Sequence, residues 1–492
     1  FASVDLNQIA IEKRRQDALM PATITIHPAG NANSDLVVDT DLIGKYDRPG
    51  PRYTSYPTAD RFVEAYDEQS FRQAMRTRLI GAVRQPLSLY VHLPFCNTIC
   101  FYCGCNKVVT RDKSRAARYL HYLSREVQMQ AELAGDDRRV RQMHWGGGTP
   151  TFLSDHEMRV VWDLLRSHFD FQPDGEYAIE IDPRSCSPET VRLLSELGLN
   201  RASFGVQDFD PAVQRAVNRI QPYELTRDVF NAARACGFKS LNIDLIYGLP
   251  KQSVSSFADT VERVLELRPD RIALYSYAHL PQRFKPQRRI LDVDLPSAAE
   301  KLSILARAID LFNRAGYIYI GMDHFALPDD ELARAQRSGT LTRNFQGYTV
   351  GPDGDMLSFG VSAIAKVGPT YSQNARELPA YYDSLEQGRL PIIRGLELTA
   401  DDLLRRAIIV ALMCQFCVSI ESIEAAHLVK FEEYFAHEIE ALKEFEQLGL
   451  VEREPGWIAV TPKGRFFVRA ISAVFDKYLR ADKARVAYSR II

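Results

Sequence analysis

No apolar run in this chain approaches the roughly 20 residues that a membrane-crossing helix needs, and no signal-peptide pattern opens it. The first residue is Phe1 rather than Met, so an earlier start is expected. A net charge of −2 over 492 residues gives no bulk attraction to nucleic acid or to an acidic partner. An anionic ligand must then be met by a local basic pocket. Internal repeats and low-complexity tracts are missing too, which argues against a solenoid or an array. The eight cysteines are not spread as a disulfide framework, because four of them are bunched in one loop. That distribution fits a reducing compartment, the cytoplasm, and metal binding.

The bunch is HLPFCNTICFYCGCNK, with Cys96, Cys100, Cys103 and Cys105. Its first three cysteines have the spacing C-x3-C-x2-C. Three thiolates can hold a [4Fe–4S] cube while leaving one iron without a protein ligand, and an open iron can bind a small molecule directly. A structural zinc site is the alternative, although no second cysteine pair lies at a zinc-knuckle spacing. Cys105 is either a loop cysteine without a role or a fourth ligand that would close the cluster. Cys414 and Cys417, on an apolar helical stretch, read as core cysteines.

Between about 86 and 280 short β-rich runs alternate with longer helical patterns. The runs are LSLYVHL, RQMHW, YAIEI, RASFGV, SLNIDLIY and RIALYSYA. Ser187 followed by Pro188 predicts an N-cap and first position for the helix after the third. Six βα units in succession predict an α/β fold, a parallel (β/α)6-type partial TIM barrel with right-handed crossovers. Each candidate motif follows or ends a strand: the cysteine loop, Gly146-Gly147-Gly148-Thr149-Pro150, Glu180 with Asp182, Gln207, Gly248-Leu249-Pro250, and Ala278-His279. Active sites of such barrels gather at that face. Beyond about 380 two amphipathic helices and a hairpin followed by a helix resemble a winged helix, read as a packing and lid domain rather than a nucleic-acid binder. The expected domains are an arm at 1–50, a catalytic domain at 51–375 and a mainly helical C-terminal domain at 376–492.

Glycines at 146–148 allow backbone to approach a ligand closely. Glu180 and Asp182 flank Ile181 and point to one side of the strand; Asp182 can equally cap the following turn. The run Arg283-Phe284-Lys285-Pro286-Gln287-Arg288-Arg289 carries four positive charges and no acid. It is either a solvated surface or, with Arg52, Arg111 and Arg343, a recognition site for a polycarboxylate.

The cysteine spacing, with Tyr102 before the third cysteine, resembles the radical S-adenosylmethionine (SAM) enzymes. More specifically, GPRYTSYPTA, CNTICFYCGCNK, HWGGGTPTFL, SFGVQDFDPAVQRAVNRIQ, NIDLIYGLPKQ, IGMDHFALPDDELARAQ and RNFQGYT resemble the oxygen-independent coproporphyrinogen III oxidases. The likeness runs from about 45 to the C-terminus. It implies oxidative decarboxylation of two propionates of coproporphyrinogen III to vinyl groups, giving protoporphyrinogen IX, through a radical derived from SAM. It implies Cys96, Cys100 and Cys103 as cluster ligands, and Cys105 as a non-ligand tied to activity. Tyr90, Gly147, Glu180 and Ile364 would contact the SAM on the cluster. Tyr102, Gly148, Thr149, Gln207, Arg219, Asp244 and Ala278 would contact a second SAM. Such a reaction needs a low-potential electron donor such as flavodoxin or ferredoxin and a final electron acceptor; neither nucleic acid nor a membrane is expected as a partner, and the chain is expected to act as a monomer. A haem-transfer protein on the same scaffold is the competing reading, against which Cys105 and RNFQGYT argue.

Anaerobically purified protein is expected to contain iron and acid-labile sulfide. Stoichiometric zinc without sulfide would contradict the cluster reading.

Overall fold

The computed structural model describes residues 40–481, apart from 47–49, 81–83 and 352. Six parallel strands stand side by side in chain order: β1 Leu87–Leu93, β2 Arg139–Gly147, β3 Asp170–Ile181, β4 Arg201–Gln207, β5 Ser240–Tyr247 and β6 Arg271–Ser276. Each of the six runs expected from sequence lies on one of them. Helices Ser114–Ala134, Asp155–His168, Pro188–Glu196, Tyr223–Ala235 and Val254–Leu267 make the crossovers. Ser187 caps its helix through Thr190 N–H at 3.2 Å, with Pro188 at the first position, as expected.

The sheet is larger than the six units. β7 Ile318–Gly321 and β8 His324–Ala326 extend it antiparallel beyond β6. On the other side β9 Met356–Phe359 runs parallel to β1, followed by antiparallel β10 Ile364–Val367, β11 Thr370–Asn374 and β12 Ile392–Glu397. These strands are short and carry no βα rhythm, so periodicity does not reveal them. The expected boundary at 375/376 falls between β11 and β12 of this one sheet.

Alternation along the strands decides what each face does. In β5, Leu241, Ile243, Leu245 and Tyr247 are buried, whereas Asn242 and Asp244 are half-buried. Ala202, Phe204 and Val206 alternate in the same way with Ser203, Gly205 and Gln207 in β4. The pairing register aligns the polar positions across strands: Tyr90 with His144, Glu180 with Ser203, and Gly205 with Asp244. One face of the sheet therefore packs an apolar core against the helices. The other carries a layer of polar side chains around a cavity of about 180 Å³.

The C-terminal region has helices Ala400–Gln415 and Ala436–Gln447, and a small sheet made by Cys417–Ser419, Val451–Glu454 and Trp457–Val460. Cys414 is fully buried, and burial pushes its thiol up to about 12, as suits a core cysteine. Cys417 lies on a strand rather than on the helix. Most of the expected 1–50 arm, including its loop HPAGNANSD, lies outside the described residues. Its described end forms the helix Thr40–Tyr46, and Tyr46 OH reaches Glu444 Oε1 at 2.8 Å. Tyr53 OH donates to Asp476 Oδ2 at 3.1 Å, and Arg469 Nη2 donates to Gly50 O at 2.7 Å. The arm is thus pinned to the last helices. Among the described residues no helix is long and apolar enough to cross a membrane.

Behind β1, Glu126 is fully buried and accepts from Gly360 N–H and Tyr381 OH, both at 2.7 Å, and from Asn374 Nδ2 at 2.6 Å. Burial, against these hydrogen bonds, raises its carboxyl from 4.5 to about 7. The folded state then holds this proton where the unfolded chain releases it. Stability contributed at low pH is lost as pH rises from 4.5 through about 7, by about 3 kcal/mol. Glu126→Gln should remove that part of the slope in urea unfolding measured across this window; identical slopes in the two proteins would contradict it.

Candidate active site

Four thiols stand where β1 ends, on a loop held by backbone bonds. Phe101 N–H donates to Val217 O at 2.9 Å, and Asn218 Nδ2 donates to Ile99 O at 2.7 Å. Lys107 Nζ donates to Cys103 O at 3.1 Å. Gln287 is buried in the basic run; its Nε2 donates to Tyr102 O at 2.9 Å and to Ala278 O at 3.2 Å. One amide therefore joins the cysteine loop to the end of β6. Sequence reading passed over Gln287, because a neutral residue among four cations shows nothing of its burial.

The glycines do what close approach requires. Gly148 N–H donates to Leu93 O at 2.9 Å, and a Cβ there would stand 2.5 Å from Pro94 O. Gly147 adopts φ +118°, a conformation suited to glycine, and its N–H donates to Glu180 Oε2 at 3.2 Å. A Cβ on Gly146 would stand 2.9 Å from Glu180 Oε1. Thr149 Oγ1 lies 3.5 Å from Cys96 Sγ. Gly147, Gly148, Thr149 and Glu180 thus belong to one cradle facing the cysteine loop. Tyr90 OH lies 3.1 Å from His92 Nδ1, and its ring stacks on His144 at 6.0 Å. Burial pushes the Glu180 carboxyl up, but His144 at 3.2 Å and the Gly147 N–H outweigh it and hold it below its ordinary value.

Asp182 takes the capping role expected of it and adds ion pairs that the sequence did not show. It caps the turn Pro183–Ser185 through Arg184 N–H at 3.0 Å, and it ion-pairs with Arg184 at 2.7 Å and Arg219 at 3.2 Å. Burial works against its charge; the two guanidinium groups prevail and lower it to about 2. Both arginines also reach Cys100 Sγ, Arg184 at 3.5 Å and Arg219 at 3.7 Å. Arg184 went unremarked in the sequence. Gln207 closes β4 in a left-handed conformation, φ +71°, and its Nε2 lies near Arg219 Nη2 over Gly205. Asp244 accepts from Ser203 Oγ at 2.9 Å and Asn242 Nδ2 at 2.8 Å, and burial raises it to about 6. Ile364 lies apart from this group by its packing: it opens β10 and rests against the Phe62, Tyr371 and Leu398 cluster.

Among the described residues no three His, Cys, Asp or Glu side chains converge to hold one metal ion. Thiolates that each take a different iron of a cube need not converge. Cys96 and Cys103 are half-buried, Cys100 is buried and faces two guanidinium groups, and Cys105 is exposed. This donor set fits an anionic iron–sulfur cluster.

The expected basic groups separate. Arg52 pairs with Asp323 at 2.5 Å, while Arg111 is exposed. Arg283, Lys285, Arg288 and Arg289 are exposed, with Arg289 5.1 Å from the Phe101 ring centroid. Arg343 is buried.

Comparison with known proteins adds to this geometry. Residues 90–264 match the radical SAM superfamily, and residues 398–467 match the HemN C-terminal domain. The chain is 50% identical over 457 residues to an oxygen-independent coproporphyrinogen III oxidase of Pseudomonas aeruginosa, covering 92% of this chain and 98% of that one. A protein of the same name from Escherichia coli K12 is 48% identical over 454 residues, with the same coverage of both chains. The solved structure of coproporphyrinogen III oxidase from Escherichia coli, described as a radical SAM enzyme, superposes with a TM-score of 0.87. Its identity is 47%, and it covers 91% of this chain and 100% of its own.

Gly148→Ala should force the start of the cysteine loop away from the strand end. Cluster-loaded variant is expected to bind SAM at least about tenfold more weakly in equilibrium dialysis, a shift of about 1.4 kcal/mol. Unchanged affinity would contradict the close approach.

Proposed function

The chain belongs to the oxygen-independent coproporphyrinogen III oxidases of the radical SAM superfamily, and from that premise we propose its reaction in detail. Two propionates of coproporphyrinogen III become vinyl groups, giving protoporphyrinogen IX. At each propionate one hydrogen atom leaves the β-carbon, the carboxylate departs as CO2, and one further electron passes to an external acceptor. The β-carbon C–H bond is unactivated, and no side-chain base can break it near neutral pH. When bound, the [4Fe–4S] cluster and SAM together supply a primary carbon radical for that step.

The residues divide this work. Cys96, Cys100 and Cys103 hold three irons, and Cys105 stands aside so that the fourth remains open to SAM. The observation that carries this division is the loop itself: Cys105 is exposed, whereas Cys100 is buried against Arg184 and Arg219, Cys96 faces Thr149 of the glycine cradle, and Cys103 is half-buried beside Cys105. Tyr90, Gly147, Glu180 and Ile364 contact the SAM on the cluster. Glu180 is kept ionised by His144 and so can accept from a hydroxyl or an ammonium. Tyr102, Gly148, Thr149, Gln207, Arg219, Asp244 and Ala278 surround a second SAM. Gln287 positions two of them, because its amide takes the Tyr102 and Ala278 carbonyls together. Ile364 opens β10 just after Gly360, whose N–H donates to Glu126 behind the sheet.

A low-potential donor such as flavodoxin or ferredoxin delivers the electron that starts each turnover. The enzyme works in the cytoplasm as a monomer. The last β-strand of the main sheet ends at Glu397, so we place the domain boundary after it. The C-terminal domain and the arm pinned to it cover the site and exclude water from the radical.

Reconstituted protein, given SAM, a reductant and coproporphyrinogen III without oxygen, should form 5′-deoxyadenosine and decarboxylated porphyrinogen. Stoichiometric haem binding with neither product would overturn the reading in favour of haem transfer. Cys103→Ser should abolish cluster assembly, whereas Cys105→Ser should keep its iron and lose turnover. Equal iron loss in both would remove the distinction between them.

A further inference from the structure

Arg343 lies on a short hairpin of strands Leu341–Asn344 and Gly347–Val350, where it pairs across with Tyr348. Its residue is 6% exposed, and its Nε and Nη1 have no hydrogen-bond partner. Its guanidinium sits 4.7 Å from the Tyr348 ring centroid. Among the described residues it has no carboxylate partner. The acids that share its surroundings have other partners: Asp323 has Arg52, Asp353 has Lys366 and Arg406, and Asp244 accepts from Ser203 and Asn242. A buried guanidinium without a counter-ion is destabilising. A ligand that brings its own anion removes this cost.

A second observation points the same way. His324 packs edge-on to Tyr348 at 5.3 Å and has an unpartnered Nδ1. Burial, and then Arg343, lower its ring to about 3, so it is neutral and offers no positive charge of its own. His324 and Tyr348 line the same cavity as His144, Glu180 and Asp244. Tyr348, on whose ring the unpaired guanidinium lies, is thus the residue that joins Arg343 to the cavity on the cofactor face of the sheet.

We infer that Arg343 binds a propionate carboxylate of the tetrapyrrole, with Tyr348 under the guanidinium fixing its plane. This rests on coproporphyrinogen III being the substrate. A planar fork matches a carboxylate in two parallel hydrogen bonds, and the ring below holds the fork without competing for its donors. Arg52 is excluded from this role by Asp323. The four exposed cations at 283–289 are left to the outer surface.

The test uses coproporphyrin III, the stable oxidised tetracarboxylate, titrated into cluster-loaded protein and followed by fluorescence. Arg343→Met should weaken binding by about ten- to a hundredfold, the range of a charge-assisted hydrogen-bonded pair, and Arg343→Lys by less. SAM binding should stay within a factor of about two of wild type. The tetramethyl ester, which has no carboxylate, should bind wild type and Arg343→Met alike. Equal coproporphyrin III affinity in the two proteins would overturn the inference. So would a parallel loss of SAM or ester binding, which would make Arg343 a packing residue. Failure of wild-type protein to bind coproporphyrin III at all would overturn the substrate reading instead.

Discussion

The Gly148 N–H reaches Leu93 O at 2.9 Å, and a methyl group on Gly148 would stand 2.5 Å from Pro94 O. This contact between the end of β2 and the end of β1 sets the height of the cysteine loop over the sheet. The other supports follow from it. Val217 O and Asn218 hold the loop from the β4 side, and Gln287 holds it from the β6 side. A loop fastened to three strand ends can present sulfur atoms in one arrangement. Loading the site then costs less ordering, which is how a scaffold contributes to chemistry that a cofactor performs.

The charges around the loop are arranged for the same purpose. Arg184 and Arg219 face Cys100 Sγ while both pair with Asp182. Asp182 stays ionised because they outweigh its burial. The pair therefore carries a local positive excess toward the sulfur. Across the cavity Asp244 is raised to about 6 and Glu180 is held low, so two carboxyls with one strand between them gain their charges at different pH. Environment alone separates them: His144 and the Gly147 N–H serve Glu180, whereas neutral hydroxyl and amide donors serve Asp244.

Much of this was legible in the chain. The six strands could be read because each is an apolar run followed by a helical pattern, and the motifs were found because they recur at strand ends. Tyr90, Glu180 and Asp244 share a face because side chains alternate along strands. The flanking strands escaped for a physical reason: short strands such as His324–Ala326 and Ile392–Glu397, with no βα rhythm around them, show no period. Gln287 and Arg184 escaped because their roles depend on contacts between segments far apart in sequence. For Arg343 the sequence offered one cation among several. Only burial and the pairing of Arg52 with Asp323 distinguish it. Ile364 entered through family resemblance; its packing follows from β10, which periodicity does not show.

The central claim is that three thiolates hold the cluster and one iron is left for SAM. Electron–nuclear double resonance on the reduced protein, with SAM labelled by 15N at the amino group and 17O at the carboxylate, tests it most directly. Hyperfine coupling from both labels, present equally in Cys105→Ser, is the predicted result. A spectrum that SAM leaves unchanged, with neither label coupled, would mean that a fourth protein ligand closes the cluster, and would contradict the account.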